Sequence, residues 1–534
     1  MDGQQQSHWL CDVIQYQAVG WHQNDTTVVK HNAIRTPIKQ PTSSYQDTFP
    51  GTYRPDIKPM TRKQICRVAV IGAGISGVVS AAHLLQNGIE VVVFERNPAA
   101  GGVWLHDDRQ PLEPPYPSIK PSTADQPDIT PGSPNEHVTL KHAPPGPAYD
   151  SLKNNVSTPL MRVKLGPWPE GTPDYVSHTV MKEYIQTISQ RMGVEDATIY
   201  GARVTDVYKK GDAWRVHWTV LRDRAGVVER YQDESSQVFD AVVVASGHYH
   251  APRVPDIPGL SDAKARWPAR IVHSKAYRKP DIYRDKTVLL IGGGVSSTDI
   301  ARDIGPYVKT VYQSTRNGDF DIPATMLPEN GVRVGEISSL EAQDNTDSPP
   351  FTVHLKTGQT LHGIDNIIIC TGYHITLPFL QPYHDDDTAP EDADETILVT
   401  DGTQVHNLHK DIFYIPDPSL AFVGIPYYTA TFTLFEFQAI AVAAVFAGVA
   451  TLPDDMRVEY EEKKRQLGSG RKFHSLRDRE EEYVRELVEW VNDGRVKRGL
   501  PEIEGHTRSW REAKAAQSER LRMIFGSDSG KGKR

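Results

Sequence analysis

The chain has 534 residues, a formal net charge of −9, and 38% hydrophobic and 24% charged residues, which leaves room for about three domains of ordinary globular composition. The acidic balance gives no electrostatic footprint for nucleic acid, and none is expected as a partner. Its three cysteines, Cys11, Cys66 and Cys370, lie far apart and form no CxxC; they suggest neither a disulfide framework nor a dithiol redox centre, and fit a reduced, cytoplasmic compartment.

Residues 1–63 are polar and lack sustained periodicity, so they are expected to be a loosely ordered N-terminal extension. They show no basic start followed by an apolar core, and no secretory signal is expected. From Ile65 the pattern becomes strand, glycine turn and helix: Val68-Ala-Val-Ile-Gly72-Ala73-Gly74-Ile75-Ser76-Gly77, then apolar positions Val78, Val79, Ala82 and Leu85 up to Asn87-Gly88. A second strand over 91–94 ends at Glu95, completing a βαβ unit of about 30 residues, the context a dinucleotide fingerprint requires. Gly72 permits the tight bend, Gly74 lets backbone approach a pyrophosphate, and Gly77 allows close helix–strand packing. The helix N-terminus adds N–H groups and a positive dipole end. Glu95, 18 residues past Gly77, is placed to accept hydrogen bonds from ribose hydroxyls and would repel a 2′-phosphate, which suits FAD or NAD. The bland alternative is a structural turn followed by a surface glutamate.

The Pro-rich stretch 105–148 shows no clear element and reads as a functional lid or a disordered insertion. A helix is predicted over 180–191 and strands over 214–218 and 239–245, the last stopping at Ser246-Gly247-His248. The second unit starts at Thr287 with Val288-Leu-Leu-Ile-Gly292-Gly-Gly294-Val-Ser296-Ser297, a helix over 298–304 and a strand over 308–313. Ser297 stands where the last glycine belongs; it is small enough for close packing, and its hydroxyl can assist a phosphate. Ser296, Thr298 and Asp299 complete this candidate site. No acid ends the next strand. Ser314-Thr315-Arg316 is there instead, and a guanidinium matches the 2′-phosphate of NADPH. FAD is therefore expected at the first turn and NADPH at the second, with a solvated arginine as the alternative for Arg316.

A further buried strand over 367–370 ends at Thr371-Gly372-Tyr373. Residues 432–452 are largely apolar, but Glu436 and Gln438 leave an uninterrupted run of only 14 residues, short of the roughly 20 needed to span a bilayer. A buried core helix is expected there, and no membrane span. The charge-rich end is helical in pattern, for example over 479–492, and 506–534 reads as a tail. His248/His250 and His406/His409 have metal-like spacings without cysteine or carboxylate support, and no metal is expected.

The region between the turns resembles the flavin-containing monooxygenase family. The family pattern FxGxxxHxxx(Y/F) here reads Trp267-Pro-Ala269-Arg-Ile-Val-His273-Ser-Lys-Ala-Tyr277-Arg278, with Trp for Phe and Ala for Gly. Gly101-Gly102-Val103-Trp104 is similar to GGxW, and Tyr149-Asp-Ser-Leu-Lys-Asn154-Asn155 resembles YxSLxTN. Ala245-Ser-Gly-His248 resembles ATGH and Thr371-Gly-Tyr373 TGY; Phe422–Pro426 with Phe435-Glu-Phe-Gln438 is similar to the closing FAD-domain motif. The resemblance covers roughly residues 65–500.

It implies an α/β fold with two dinucleotide-binding, Rossmann-like domains. The FAD domain is discontinuous (64–252 and 371–505), with the NADPH domain (253–370) inserted. Gly102, Val103, Trp104, Asn154, Asn155 and Gln438 then join the FAD side. NADPH reduces the flavin, O2 adds at flavin carbon 4a, and an amine nitrogen or sulfur of a small molecule attacks the resulting hydroperoxide. Asn155 maps to the family's asparagine beside the flavin and is the catalytic candidate; His273 and Tyr277 read as domain-coupling residues. A homodimer is compatible with this reading. The alternatives are a Baeyer–Villiger monooxygenase acting on a ketone, or a catalytically inactive dinucleotide-binding protein. The former's linker motif usually ends in Trp followed by Pro or Asp, where this chain has Tyr277-Arg278. Against the latter stand the intact Gly72, Gly74, Gly77, Glu95 and Asn155. The lack of a Ser/His/Asp or Cys/His arrangement fits a protein whose cofactors carry the chemistry.

Overall fold

The computed structural model describes residues 64–125, 134–223, 230–344 and 350–525. The expected extension over 1–63, part of the Pro-rich stretch and the end of the expected tail lie outside the described residues.

Two sheets organise the molecule. The first has seven strands in the order Leu408–His409, Phe413–Tyr414, Leu420–Phe422, Ala241–Val244, Arg67–Ile71, Glu90–Glu95, Thr198–Tyr200. Its centre is parallel, with Val68 opposite Val91 on one side and Ala241 on the other. A parallel sheet covered on both faces has no polar side to show, and Val68, Ala69 and Val70 are accordingly fully buried. The second sheet has five strands in the order Gly331–Val334, Thr310–Ser314, Thr287–Ile291, Asn366–Ile369, Ile271–His273, all parallel. The first sheet draws on the chain before and after the second, so the unit of the second sheet is inserted within a discontinuous first unit.

Three-stranded antiparallel sheets flank each core: Ala202–Lys210, Ala213–Asp223 and Arg230–Phe239 in one case, Ile337–Ala342, Phe351–Leu355 and Thr360–Ile364 in the other. Within the Pro-rich stretch, an α-helix forms over Asn135–His142. Its buried residues Val138, Leu140 and His142 alternate at a spacing of two, so no helical period announces it.

The apolar segment forms the helix Thr431–Phe446, buried nearly all round and packed on the helix Ile75–Gln86 behind the first glycine turn. Glu436 survives inside it because its carboxylate accepts from the N–H groups of Lys164 (2.5 Å) and Leu165 (3.0 Å) and lies 3.3 Å from His83 Nε2. Among the described residues no helix is long and apolar enough to cross a membrane.

Candidate active site

Each glycine turn lies where three parallel strands end. At the first, Gly72 has φ +104°, and a Cβ there would meet the Ala245 carbonyl oxygen at 2.6 Å. A Cβ on Gly77 would lie 1.8 Å from the Gly72 oxygen, so this helix presses directly on its own turn. Gly102 (φ +56°) packs against Gly74, where its own Cβ would come within 2.8 Å of the Gly74 Cα. Gly74 caps the helix Ile75–Gln86 without a side-chain oxygen, which leaves the first-turn N–H groups of Ile75, Ser76 and Gly77 for a ligand. The Ser76 hydroxyl itself points back to the Ala245 oxygen at 3.2 Å. Glu95 is buried at the strand end. Its Oε2 accepts from the Ala73 N–H at 2.7 Å, and its Oε1 from the backbone and side-chain N–H of Asn97, both at 2.8 Å. The carboxylate is thereby locked beside the turn, and the donor set and glycine cradle fit a dinucleotide with free ribose hydroxyls.

The second turn repeats the plan. Gly292 has φ +124°, and a Cβ there would lie 2.5 Å from the Cys370 oxygen; Gly294 caps the helix Val295–Ile304 and has open space around it. Ser296 is exposed at this open end. Arg316 is exposed just past the strand Thr310–Ser314, with no hydrogen bond or ion pair to the described residues. It does not stand alone. The Arg253 guanidinium is held below its ordinary value, first by burial and then by Arg471 and Arg316, with Asp401 as the opposing charge. Arg316 and Arg471 thus lie near enough to Arg253 to act on its charge, a positive field suited to phosphate groups. Arg253 and Arg471 carry no motif signature and were not among the expected residues.

Several of the expected site residues also hydrogen-bond within the protein. Asn154 donates to the oxygens of Val156 (2.7 Å) and Asp174 (2.9 Å) and accepts from the Val176 N–H (2.6 Å), so its amide clamps a loop. Gln438 accepts from the Gly424 N–H at 3.0 Å and donates to the Tyr483 hydroxyl at 2.9 Å. It therefore braces Gly424, whose Cβ position lies 3.3 Å from Ser76. Ser297 and Thr298 receive the Gln313 amide (2.5 and 3.3 Å), and the Ser314 hydroxyl donates to the Gly335 oxygen at 2.8 Å. Asp299 accepts from the Tyr149 hydroxyl. By contrast Asn155 is exposed, and its side chain has no partner among the described residues. Val103 is 36% exposed and Trp104 packs on the FAD-side core.

Asp299 belongs to a latch. Asp303, one turn further along the same helix, accepts from the Ser151 hydroxyl at 2.8 Å and from the Tyr277 hydroxyl. The Tyr149–Asn155 segment of the FAD side and the linker are thus both fastened to the helix of the second turn. His273 adds a pin. Its Nδ1 accepts from the Lys275 N–H at 3.1 Å, which fixes the proton on Nε2 for donation to the Gly372 oxygen at 3.1 Å. Burial pushes its imidazole down to about 3, so it is a neutral structural residue. Arg278, also buried, donates to the oxygens of Asp107 (2.7 Å), Arg109 (3.0 Å), Gly146 (3.2 Å), Lys275 and Tyr277 (both 2.8 Å). One guanidinium fork therefore ties both ends of the Pro-rich stretch to the linker. Among the described residues no group of three or more His, Cys, Asp or Glu is arranged to hold a metal ion.

Comparison with known proteins identifies the family. Residues 142–329 match the flavin-binding monooxygenase-like family and residues 70–117 the NAD(P)-binding Rossmann-like domain. Flavin-containing monooxygenase ustF2 of Aspergillus flavus is 52% identical over 492 residues, covering 87% of this chain and 99% of that protein. Flavin-containing monooxygenase iboF of Amanita muscaria is 31% identical over 479 residues, covering 82% and 89%. The structure of S-allyl-L-cysteine S-oxygenase from Allium sativum matches with a TM-score of 0.63 and 26% identity, over 88% of this chain and 95% of that one. The chain belongs to the flavin-containing monooxygenase family and is an FAD- and NADPH-dependent enzyme of that family.

Proposed function

We propose that this enzyme transfers one oxygen atom from O2 to a soft nucleophilic nitrogen or sulfur of a small molecule. When bound, NADPH would supply the hydride and FAD the site of oxygen activation. The chain's own residues position and exclude. The first-turn N–H groups and Glu95 hold the FAD pyrophosphate and ribose. Arg316, with Arg253 and Arg471, receives the phosphates of NADPH. The latch of Tyr149, Ser151 and Tyr277 on Asp299 and Asp303 keeps the two nucleotide sites in a fixed relation.

The observation that carries the reading is the contrast between Asn154 and Asn155. Three hydrogen bonds fix Asn154, and they leave the neutral Asn155 amide exposed and unspent. A neutral amide donates and accepts at once, so it holds polar groups beside the flavin without adding charge. The S-oxygenase named among the structural relatives supports a heteroatom as acceptor. An oxygenation assay with amines, thioethers and ketones, read by product structure, tests this. N-oxides or sulfoxides are expected; an ester from a ketone as the sole product would contradict it. Asn155→Ala should retain FAD and oxidise NADPH while releasing hydrogen peroxide in place of product, and unchanged coupling would remove Asn155 from the reaction.

A further inference from the structure

The strand Thr310–Ser314 ends without an acid, yet a carboxylate stands at the second turn. It comes from Asp321, on the strap 316–322 that folds back over the turn. Asp321 Oδ2 accepts from the Thr315 hydroxyl and from the Gly318 N–H (3.0 Å). Among the described residues its Oδ1 has no hydrogen-bond partner, and it lies 2.5 Å from where a Cβ on Gly293 would be. The strap is closed by the Ile322 N–H donating to the Gly293 oxygen at 2.7 Å. Gly293 is the middle residue of its turn, as Ala73 is of the first, and Glu95 is bound at Ala73. Asp321 thus reaches, from the strap, the same residue of the second turn that Glu95 reaches from a strand end in the first. The middle residue can be alanine at 73, where the acid approaches through the N–H. At 293 the acid lies over the Cα, and a methyl group would displace it.

The strap is held from the FAD side as well. Phe320 stacks on Tyr428 with ring centroids 5.7 Å apart and planes 6° apart, and Asp319 pairs with Lys472 at 2.5 Å. Among the described residues no cation lies within salt-bridge distance of the Asp321 carboxylate, so it forms no ion pair.

We propose that Asp321 is a coenzyme-specificity residue that weakens the preference for NADPH over NADH. This rests on the reading of the second turn as the nicotinamide-dinucleotide site. A carboxylate beside the turn accepts hydrogen bonds from free ribose hydroxyls and repels a 2′-phosphate. Arg316, five positions earlier on the same strap, attracts that phosphate. The two side chains oppose each other, so the site favours NADPH less strongly than Arg316 alone would make it.

The test is calorimetric titration of the FAD-loaded enzyme with NADP+ and with NAD+, for wild type, Asp321→Asn and Asp321→Ala. Flavin content reports that each variant is folded, and two substitutions guard against the loss of either one. The ratio of the two dissociation constants should shift by about tenfold toward NADP+ in both variants, the scale of removing one partly screened charge. An unchanged ratio, with both nucleotides still binding, overturns the role of Asp321 alone. If the wild type binds neither nucleotide, the assignment of the second turn falls, and this proposal with it.

Discussion

The two glycine turns share a plan and differ in how tightly it is executed. In each, the first glycine sits with positive φ against the carbonyl of the third strand's end, Ala245 for Gly72 and Cys370 for Gly292. They part at the last position of the motif. A Cβ on Gly77 would collide with the Gly72 oxygen at 1.8 Å, whereas the second turn carries a full serine whose hydroxyl accepts from Gln313 at 2.5 Å. The first helix is therefore docked onto its turn as closely as backbone allows, and the second stands further off on a side-chain spacer. A tight, fully hydrogen-bonded cradle suits a cofactor that stays bound. A looser one, whose charged groups Arg316 and Asp321 lie on a strap, suits a coenzyme that comes and goes.

The largest expected effect breaks the tight turn. Gly77→Ala should give protein without bound flavin, because the methyl group can be accommodated only by moving the helix that presents its N–H groups. Flavin absorbance relative to protein absorbance reads this, and a normal ratio would show that the close contact is dispensable.

Acid provides the next test, because it acts mainly on the FAD side and the linker. Burial pushes His250 and His406 down to about 4 and His273 and His409 down to about 3. Folded, each refuses a proton that it accepts when unfolded, so the unfolded state binds more protons below pH 6.5, the ordinary histidine value. Stability is full above that value and falls as the pH drops toward 4, by at most ~2 kcal/mol per histidine at about pH 5. Thermal unfolding and flavin fluorescence between these limits should show a falling Tm and FAD release. A Tm that stays level contradicts the neutral assignment of these rings.

The smallest effect belongs to the loose turn. Ser297→Gly should cost about 0.5 kcal/mol from helix propensity. Gln313 keeps Thr298 as a partner, so FAD content should not change. A loss as severe as that of Gly77→Ala would erase the distinction between the turns.

Much of this was legible in the sequence because both units announce themselves locally: a β-branched run, glycines at fixed offsets and an apolar helical period. The place of Glu95 beside its turn is legible because its strand delivers it directly. That of Asp321 is not, because it depends on a strap folding back across space, and nothing in Thr315-Arg-Asn-Gly-Asp-Phe-Asp321 marks which acid returns. The same limit applies to Arg253 and Arg471, brought together from distant segments, and to the strand Arg230–Phe239, whose polar composition hides it. Motif spacing also says nothing of internal bonds. Asn154, Gln438, Ser314 and Asp299 lie within or beside the motifs, and their side chains bond to the protein's own backbone and its latch.

The division of labour between the turns is tested most directly by a crossed pair of variants, Glu95→Ala and Arg316→Ala. Bound FAD and the KM values for NADPH and NADH would be measured on both. Glu95→Ala should lose FAD on gel filtration, while Arg316→Ala should keep it and show a KM for NADPH raised about tenfold or more with that for NADH little changed. Undiminished flavin in Glu95→Ala, or equal effects on the two coenzymes in Arg316→Ala, would contradict the assignment of FAD to the first turn and NADPH to the second.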